Sequence, residues 1–393
     1  MKVAFVFEMS YPHISGVVTS TTNLARHLVR FGHEVIFIVP GGSGGEDAEI
    51  GEGIRVRTAA SWANPIYPGL RTVLPWSRAA RAVFVREAVD VVQITAPWLL
   101  GRACIRAARG LGIPVVHTFH TMLHSPEYLR YLFGNRRIPA RVLPAVRRSV
   151  WRWYGRYIRA ATVTTVPSRA ALSELRHHYP TAVITQIPNG LDCEPFSRYP
   201  PLSDLRRRYP EYRHTVVIYV GRLAQEKSIE QLIDSMTMVA ESEGDLRLVV
   251  VGDGPAAPRY RMRVRRLGLT QRVSFLGALP REQLVHSGLL QHARAFATAS
   301  VSENQPLSVL EAVCCRTPVI APDTAAMCEL VQDNGLRFEP GNVKALASAL
   351  QLLVRDDHVY RRCVAASERL RHQFEGGTVA RRFEALYHEI VAM

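Results

Sequence analysis

The stretch Thr298–Pro318, reading TASVSENQPLSVLEAVCCRTP, constrains this chain more than any other. Apolar residues up to Ala299 close a strand, and Ser300 to Gln305 make a polar loop. Leu307, Val309, Leu310, Val313 and Cys314 then recur at helical spacing. Pro306 is expected as the first helical residue, where its missing N–H removes no hydrogen bond. A helix N-terminus just past a strand presents backbone N–H groups and a positive dipole end, which together make an anion site. Glu303 precedes this helix, and Glu311 lies inside it, about 7–8 Å along the axis from Pro306. An anion held by the N–H groups near Leu307 and Ser308 would therefore have a carboxylate on either side. Carboxylates accept hydrogen bonds from pairs of hydroxyls. The matching ligand is hydroxyl-rich at both ends and anionic in the middle, as a nucleotide-sugar is. The plainer reading makes Glu311 an exposed helix residue and Glu303 a loop charge, since strand–loop–helix joints recur throughout α/β folds.

A second site of the same kind follows the apolar strand Val216 to Val220. There Gly221-Arg222-Leu223-Ala224-Gln225-Glu226-Lys227 leads into a helix from about Ile229. Arg222 and Lys227 flank a helix start, where cations can clamp a diphosphate and stabilise its charge as it leaves. Leu246 to Val251 then runs into Gly252-Asp253-Gly254-Pro255. This imitates a dinucleotide fingerprint, but Pro255 stiffens the turn and no acidic residue ends the next strand, Arg272 to Leu276.

The first half has its own βαβ unit: strand Val3 to Phe7, a loop containing Gly16, helix Thr21 to Phe31 and strand Glu34 to Val39. Gly41 to Gly53 is glycine-rich and acidic and is expected to be a mobile surface loop. Asp90 to Thr95 is another strand with Pro97-Trp98 at its carboxyl end, the side on which open α/β sheets bind ligands. The strand Ile113 to His117 is followed by Thr118-Phe119-His120-Thr121. His120 lies beyond the strand end, whereas His117 lies within it. Ala161 to Val166 is a strand, and Ser168 is placed to cap the helix Arg169 to His178.

Tyr128 to Ala160 holds nine arginines (Arg130, Arg136, Arg137, Arg141, Arg147, Arg148, Arg152, Arg156 and Arg159) and no acidic residue. Tyr128, Tyr131, Phe133, Trp151, Trp153, Tyr154 and Tyr157 are interleaved with them. A basic helix with interfacial aromatics reads as a membrane-surface element. A solvated face with arginine stems packed on the protein, a nucleic-acid surface and a collector for a polyanionic acceptor remain open.

The chain has 393 residues, 47% of them hydrophobic, which is ample for two domains. Its formal net charge of +15 speaks to partners rather than to fold. The six cysteines include no CxxC, so neither a zinc nor a disulfide framework is expected, and a reducing compartment fits. The apolar start after Met-Lys reads as a buried strand, too short for a signal peptide, and no run has the length to span a bilayer.

Glu303, seven residues, Glu311-Ala312, then Thr317-Pro318-Val319-Ile320-Ala321 resembles the signature of retaining glycosyltransferases of the two-Rossmann GT-B fold. The group is the family 4 type, which includes sucrose synthases, phosphatidylinositol mannosyltransferases and diacylglycerol glucosyltransferases. The Gly221-Arg222…Glu226-Lys227 segment matches the same family, as does Pro188-Asn189-Gly190-Leu191-Asp192. The His117-Thr118-Phe119-His120-Thr121 run is closest to diacylglycerol glucosyltransferases. Two family glycines are replaced, one after the lysine by Ser228 and one after the signature helix by Arg316.

The resemblance covers essentially the whole chain and implies an α/β, GT-B architecture of two Rossmann-like domains facing across a cleft. The first spans residues 1–193 and takes the acceptor, a linker spans 194–205, and the nucleotide-sugar domain spans 206–377, with a helix from about 378 to 393 returning to the first. The implied activity is metal-independent, retaining transfer of a hexose from a nucleoside-diphosphate sugar, which is a substrate, so that no cofactor is expected. A UDP-sugar is favoured, although the base and the sugar are not separable here. His120, Arg222, Lys227 and Glu303 are the expected catalytic groups. With Arg222, Lys227 and Glu303, the donor is assigned to Gly16, Asn189, Gly221, Gly252, Gly254, Gly277, Asn304, Gln305, Pro306, Leu307, Ser308 and Glu311. Tyr11, Trp98 and His120 are placed on the acceptor side. Glu303 would hold sugar hydroxyls and Glu311 the ribose. Neither glutamate is an obvious covalent nucleophile, which favours a same-face displacement in which the departing phosphate helps to deprotonate the acceptor. The acceptor is expected to be a membrane lipid or glycolipid. A soluble metabolite or saccharide, an inactive scaffold and a basic nucleic-acid-binding protein are the alternatives. With an anionic membrane surface as partner and no nucleic acid, the expected location is the cytoplasm, peripheral on the inner face of the plasma membrane.

Overall fold

The computed structural model describes residues 1–8, 16–41, 47–50, 53–63, 71–73, 76–120, 122–125, 129, 139, 141–239 and 243–393. Tyr11, Tyr128, Arg130, Tyr131, Phe133, Arg136 and Arg137 lie outside the described residues. Two units result: Met1–Gly190 with Gly376–Met393, and Leu191–Glu375.

The first unit is built on strands β1 (Lys2–Val6), β2 (Glu34–Gly41), β3 (Asp47–Ile50), β4 (Ile54–Ala63), β5 (Arg71–Val73), β6 (Val91–Ile94), β7 (Val115–Thr118), β8 (Val163–Val166) and β9 (Ile184–Gln186). They pair in the order β3-β4-β2-β1-β6-β7-β8-β9, with β5 added to β4. Part of the stretch expected as a mobile loop, residues 47–50, is instead β3, antiparallel to β4. β1 is central and fully apolar because both of its faces are covered. Val3 and Phe5 pack with the helices Gly16–Arg30 and Gly376–Val391, while Ala4 and Val6 pack with Ser77–Glu87 and Leu99–Arg109.

The second unit has β10 (Thr215–Val220), β11 (Leu246–Val251), β12 (Val273–Gly277), β13 (Ala295–Ala297), β14 (Val319–Pro322) and β15 (Gly335–Phe338). Their order is β12-β11-β10-β13-β14-β15, and every pairing is parallel. The chain therefore reverses its direction of strand addition between β10 and β13. Residues 194–205, expected as a linker, belong to this unit. Phe196 and Leu205 are buried in its core, and apolar surface of that size is not left in water on a free tether. The expectation of no disulfide is also overturned. Cys193 and Cys314 are bonded with their Cα atoms 4.9 Å apart, although 121 residues separate them in sequence. No spacing rule reads a pair that only the fold brings together.

The described aromatic residues of the arginine-rich segment, Trp151, Trp153, Tyr154 and Tyr157, turn inward. In the helix Leu143–Ile158, Trp151, Tyr154 and Tyr157 are buried, and Trp151 stacks on His124 and His178 with ring centroids 4.2 and 4.0 Å away. Trp153 donates its Nε1–H to the Pro97 carbonyl at 2.7 Å. These rings serve the core and do not form an interfacial belt, whereas Arg147, Arg148, Arg152, Arg156 and Arg159 are exposed. Ser168 caps the helix Arg169–His178, accepting from the Ala171 N–H at 3.1 Å.

Glu8, just past β1, is 3% exposed. Its carboxylate accepts from the N–H groups of Gly101 at 2.6 Å and Leu100 at 3.3 Å, which fixes the start of the helix Leu99–Arg109 behind Trp98. Burial outweighs these bonds and pushes its carboxyl up to about 8. Between the ordinary carboxylate range and pH 8, the folded state holds a proton that the unfolded state has lost. Stability contributed by this group therefore falls as pH rises. Glu8→Gln is expected to remove a slope of roughly 1 kcal/mol per pH unit between pH 5 and 8, as read by denaturant unfolding. An unchanged slope would show that Glu8 is ionised in the folded protein.

Candidate active site

In the second unit, four loops meet at the carboxyl ends of the strands. Gly221 N–H bonds the Val251 carbonyl at 3.0 Å, Leu223 N–H bonds that of Asp253 at 2.9 Å, and Gly252 N–H bonds that of Gly277 at 2.7 Å. Gly221, Gly252, Gly254 and Gly277 are thus brought together. A Cβ on Gly252 would stand 1.9 Å from the Gly221 carbonyl oxygen, a contact that only glycine permits. The loops after β10 and β13 are neighbours across the point where strand order reverses, where open parallel sheets place ligands. There Lys227 Nζ lies 2.5 Å from Glu303 Oε1. Arg222 is held by the buried carboxylate of Glu226, four residues later. Asn304 and Gln305 are buried beside them.

Pro306 is the N-cap of the helix Leu307–Cys314, one residue before the position expected for it. Leu307 and Ser308 begin the first turn, whose leading N–H groups have no partner within the helix. Glu311 is buried, not an exposed helix residue, and its Oε1 is held by Arg281 at the start of the helix Arg281–Ser287. Burial raises the Glu311 carboxyl above its ordinary range, while the Arg281 guanidinium opposes the rise. Sequence reasoning missed this partner. Arg281 follows the β12 loop by only four residues, but its approach to Glu311 spans 30 residues and two βα units. It missed a role for Glu226 as well, because Arg222 lies in the loop ahead of the turn Gln225–Lys227, where no helical spacing rule applies.

In the first unit, Gly16 is the first residue of the helix that follows β1. Trp98 is the N-cap of the helix that follows β6, and its carbonyl accepts from Tyr157 Oη at 2.9 Å. His117 lies inside β7 and His120 two residues beyond its end. Burial holds His117 at about 3 and His120 at about 4, so both rings are neutral at pH 7. A neutral imidazole serves a hydroxyl better than it serves a phosphate. His120 lines a small cavity with Thr21, Gln93, Thr118, Asn189 and Phe383. Its back wall is fixed by Gln93, which donates to Thr118 Oγ1 at 3.1 Å and accepts from the Tyr387 hydroxyl. The structure thus gathers His120 and Asn189 in this unit, and Arg222, Lys227, Glu303 and Glu311 in the other.

The family described as Glycosyltransferase Family 4 matches residues 14–195, and Glycosyl transferases group 1 matches residues 205–370. A GDP-mannose-dependent alpha-mannosyltransferase of Mycobacterium tuberculosis is 31% identical over 371 residues, 92% of this chain and 90% of that one. The chain is a family 4 glycosyltransferase. An alpha-monoglucosyldiacylglycerol synthase of Acholeplasma laidlawii is 28% identical to this glycosyltransferase over 86% of its chain and 85% of that protein's. Sucrose-phosphate synthase from Thermosynechococcus elongatus superposes with a TM-score of 0.80 at 22% identity, covering 100% of this chain and 99% of that one. The fold is GT-B.

The two glycine replacements in this glycosyltransferase acquire a physical meaning. Ser228 has φ 52° and Arg316 φ 61°, both in the left-handed region that favours glycine. Ser228 closes the turn Gln225–Lys227 ahead of the helix Ile229–Val239, and Arg316 follows the helix bearing Glu311. Arg316 also sits over the Tyr199 ring, 5.1 Å from its centroid. Ser228→Gly is expected to raise the unfolding free energy by about 0.5–1 kcal/mol, the left-handed penalty less the extra freedom of unfolded glycine. A loss of stability in the same denaturant melt would mean that the serine side chain holds the turn.

Proposed function

We propose that this glycosyltransferase moves a hexose from a nucleoside-diphosphate sugar to a hydroxyl of a membrane lipid or glycolipid, with retention of anomeric configuration. The observation that carries the reading is the Lys227–Glu303 pair at the strand-order reversal, beside the N-terminus of the helix bearing Glu311. In this reading Lys227 and Arg222 exchange part of their contact with Glu303 and Glu226 for the diphosphate. Glu303 then turns to the sugar hydroxyls, and Glu311, held in place by Arg281, takes the ribose. The bond from the anomeric carbon to the phosphate oxygen breaks while the acceptor oxygen bonds the same face. The acceptor proton passes to the departing phosphate. Two cations and the helix N-terminus carry the charge of the leaving group, so the reading calls for no metal in the reaction. His120, neutral in its cavity, and Trp98 act on the acceptor side.

Lipid names among the relatives support the acceptor class. A second support is the exposed arginine face of the helix Leu143–Ile158. There Arg147 and Arg148 border a groove of about 480 Å³ that also includes Leu143, Pro144, Trp151 and His178. Such a face suits peripheral attachment to an anionic membrane surface. Among the described residues no helix is long and apolar enough to cross one. GDP-mannose is the first donor to try, given the name of the relative at 31% identity; UDP-hexoses stand beside it.

One donor from a panel of GDP-, UDP-, ADP- and TDP-sugars should raise the melting temperature and be turned over in the presence of anionic vesicles. No effect from any donor would overturn the reading. Glu311→Ala should weaken nucleotide binding by about 1–3 kcal/mol by calorimetry, and unchanged affinity in the folded variant would remove its ribose role. Lys227→Ala should depress kcat more than donor affinity, whereas equal losses would reduce Lys227 to a structural partner of Glu303.

A further inference from the structure

The candidate catalytic residues lie past the carboxyl ends of the strands; a separate cluster sits at the amino-terminal edge of the first unit's sheet. His33 immediately precedes β2, in the turn after the helix Gly16–Arg30. Its Nε2 lies 2.9 Å from Glu384 Oε1 on the helix Gly376–Val391. Glu384 and His388 are four residues apart on that helix and therefore share a face. One ligand atom from each of His33, Glu384 and His388 lies within 4.8 Å of the other two. Arg381 donates to the second carboxylate oxygen, Glu384 Oε2, at 2.8 Å, which leaves Oε1 for the histidines. The far side of the His33 ring, Nδ1, is 3.3 Å from the Met1 amino group. His33 is buried, Glu384 half-buried and His388 exposed, so the cluster is anchored inside and reachable from water.

Two imidazole nitrogens and one carboxylate oxygen are the donor set of zinc and related d-block ions. Magnesium and calcium prefer oxygen alone. We propose that His33, Glu384 and His388 bind a divalent d-block ion, with Zn²⁺ as its representative, and that the ion ties the C-terminal helix to the turn after the first helix. Binding replaces the hydrogen bond between His33 and Glu384. Nε2 and Oε1 both turn to the metal; the Nε2 proton is released to solvent, and the neutral ring keeps its one N–H on Nδ1, facing the Met1 nitrogen. Remaining coordination positions face water beside His388. The site stands apart from the donor and acceptor residues, so it does not depend on the proposed reaction.

The test uses the full chain, stripped with a chelator and titrated with ZnCl₂ by calorimetry and thermal melting, with MgCl₂ as control. Wild type should bind one Zn²⁺ saturably and melt higher, and MgCl₂ should do neither. His388→Ala, at an exposed position, should lower Zn²⁺ affinity by more than about tenfold, a loss that even an outer-shell partner can cause. Glu384→Gln should do the same. Co²⁺ should give a visible d–d band in wild type that is lost in His388→Ala. Absence of saturable Zn²⁺ binding would overturn the proposal and leave a His33–Glu384–Arg381 ion network. Binding that survives His388→Ala would overturn it too, by placing the ion elsewhere, for example on the exposed Cys328 thiol.

Discussion

The pairing of Lys227 with Glu303 rests on a property of parallel sheets. Every strand delivers its following loop to the same edge, and where strand order reverses the two loops are followed by helices that leave on opposite sides, which opens a crevice between them. β10 and β13 are neighbours there, so residues 76 apart in sequence come within 2.5 Å. The backbone bonds among the 221, 252 and 277 loops hold that edge rigid. Gly252 is small because a carbonyl occupies the space a side chain would need. The backbone carrying these cations, carboxylates and the helix N-terminus is thus fixed, and in the proposed reading only the side-chain pairs Lys227–Glu303 and Arg222–Glu226 rearrange when a ligand binds.

Buried carboxylates recur in both units and are handled differently. Glu311 and Glu226 each have an arginine, because an unpaired buried charge is strongly destabilising. Glu8 has only backbone N–H donors, and its carboxyl titrates near 8 instead. A group that can drop its charge does not need a cation, but it makes the turn at Trp98 sensitive to pH. The arginine-rich helix solves another problem. Its aromatic side anchors it on Phe119, His124 and Tyr179, which frees the guanidinium side for solvent or an anionic surface.

Much of the candidate site in the second unit was legible in the sequence. The strand, loop and helix of Thr298–Pro318, the Arg222…Lys227 segment and the glycines at strand ends are local patterns, and local patterns are set by period, turn chemistry and charge near helix starts. Long-range partners were not legible. Arg281 reaches Glu311, Cys193 reaches Cys314 and His33 reaches Glu384 across 30, 121 and 351 residues. The proline-marked stretch 194–205 looked like a tether, and only the core of the second unit shows where Phe196 and Leu205 go.

By itself the sequence determined the α/β alternation, the family and the set of residues at strand ends, because hydrophobic period and terminal chemistry are written within a few residues of each other. Tertiary structure alone decided which charges neutralise one another, which aromatics are core, and that the positions of Ser228 and Arg316 are left-handed. Strand order and burial set those outcomes, and both are properties of the whole chain packed against itself.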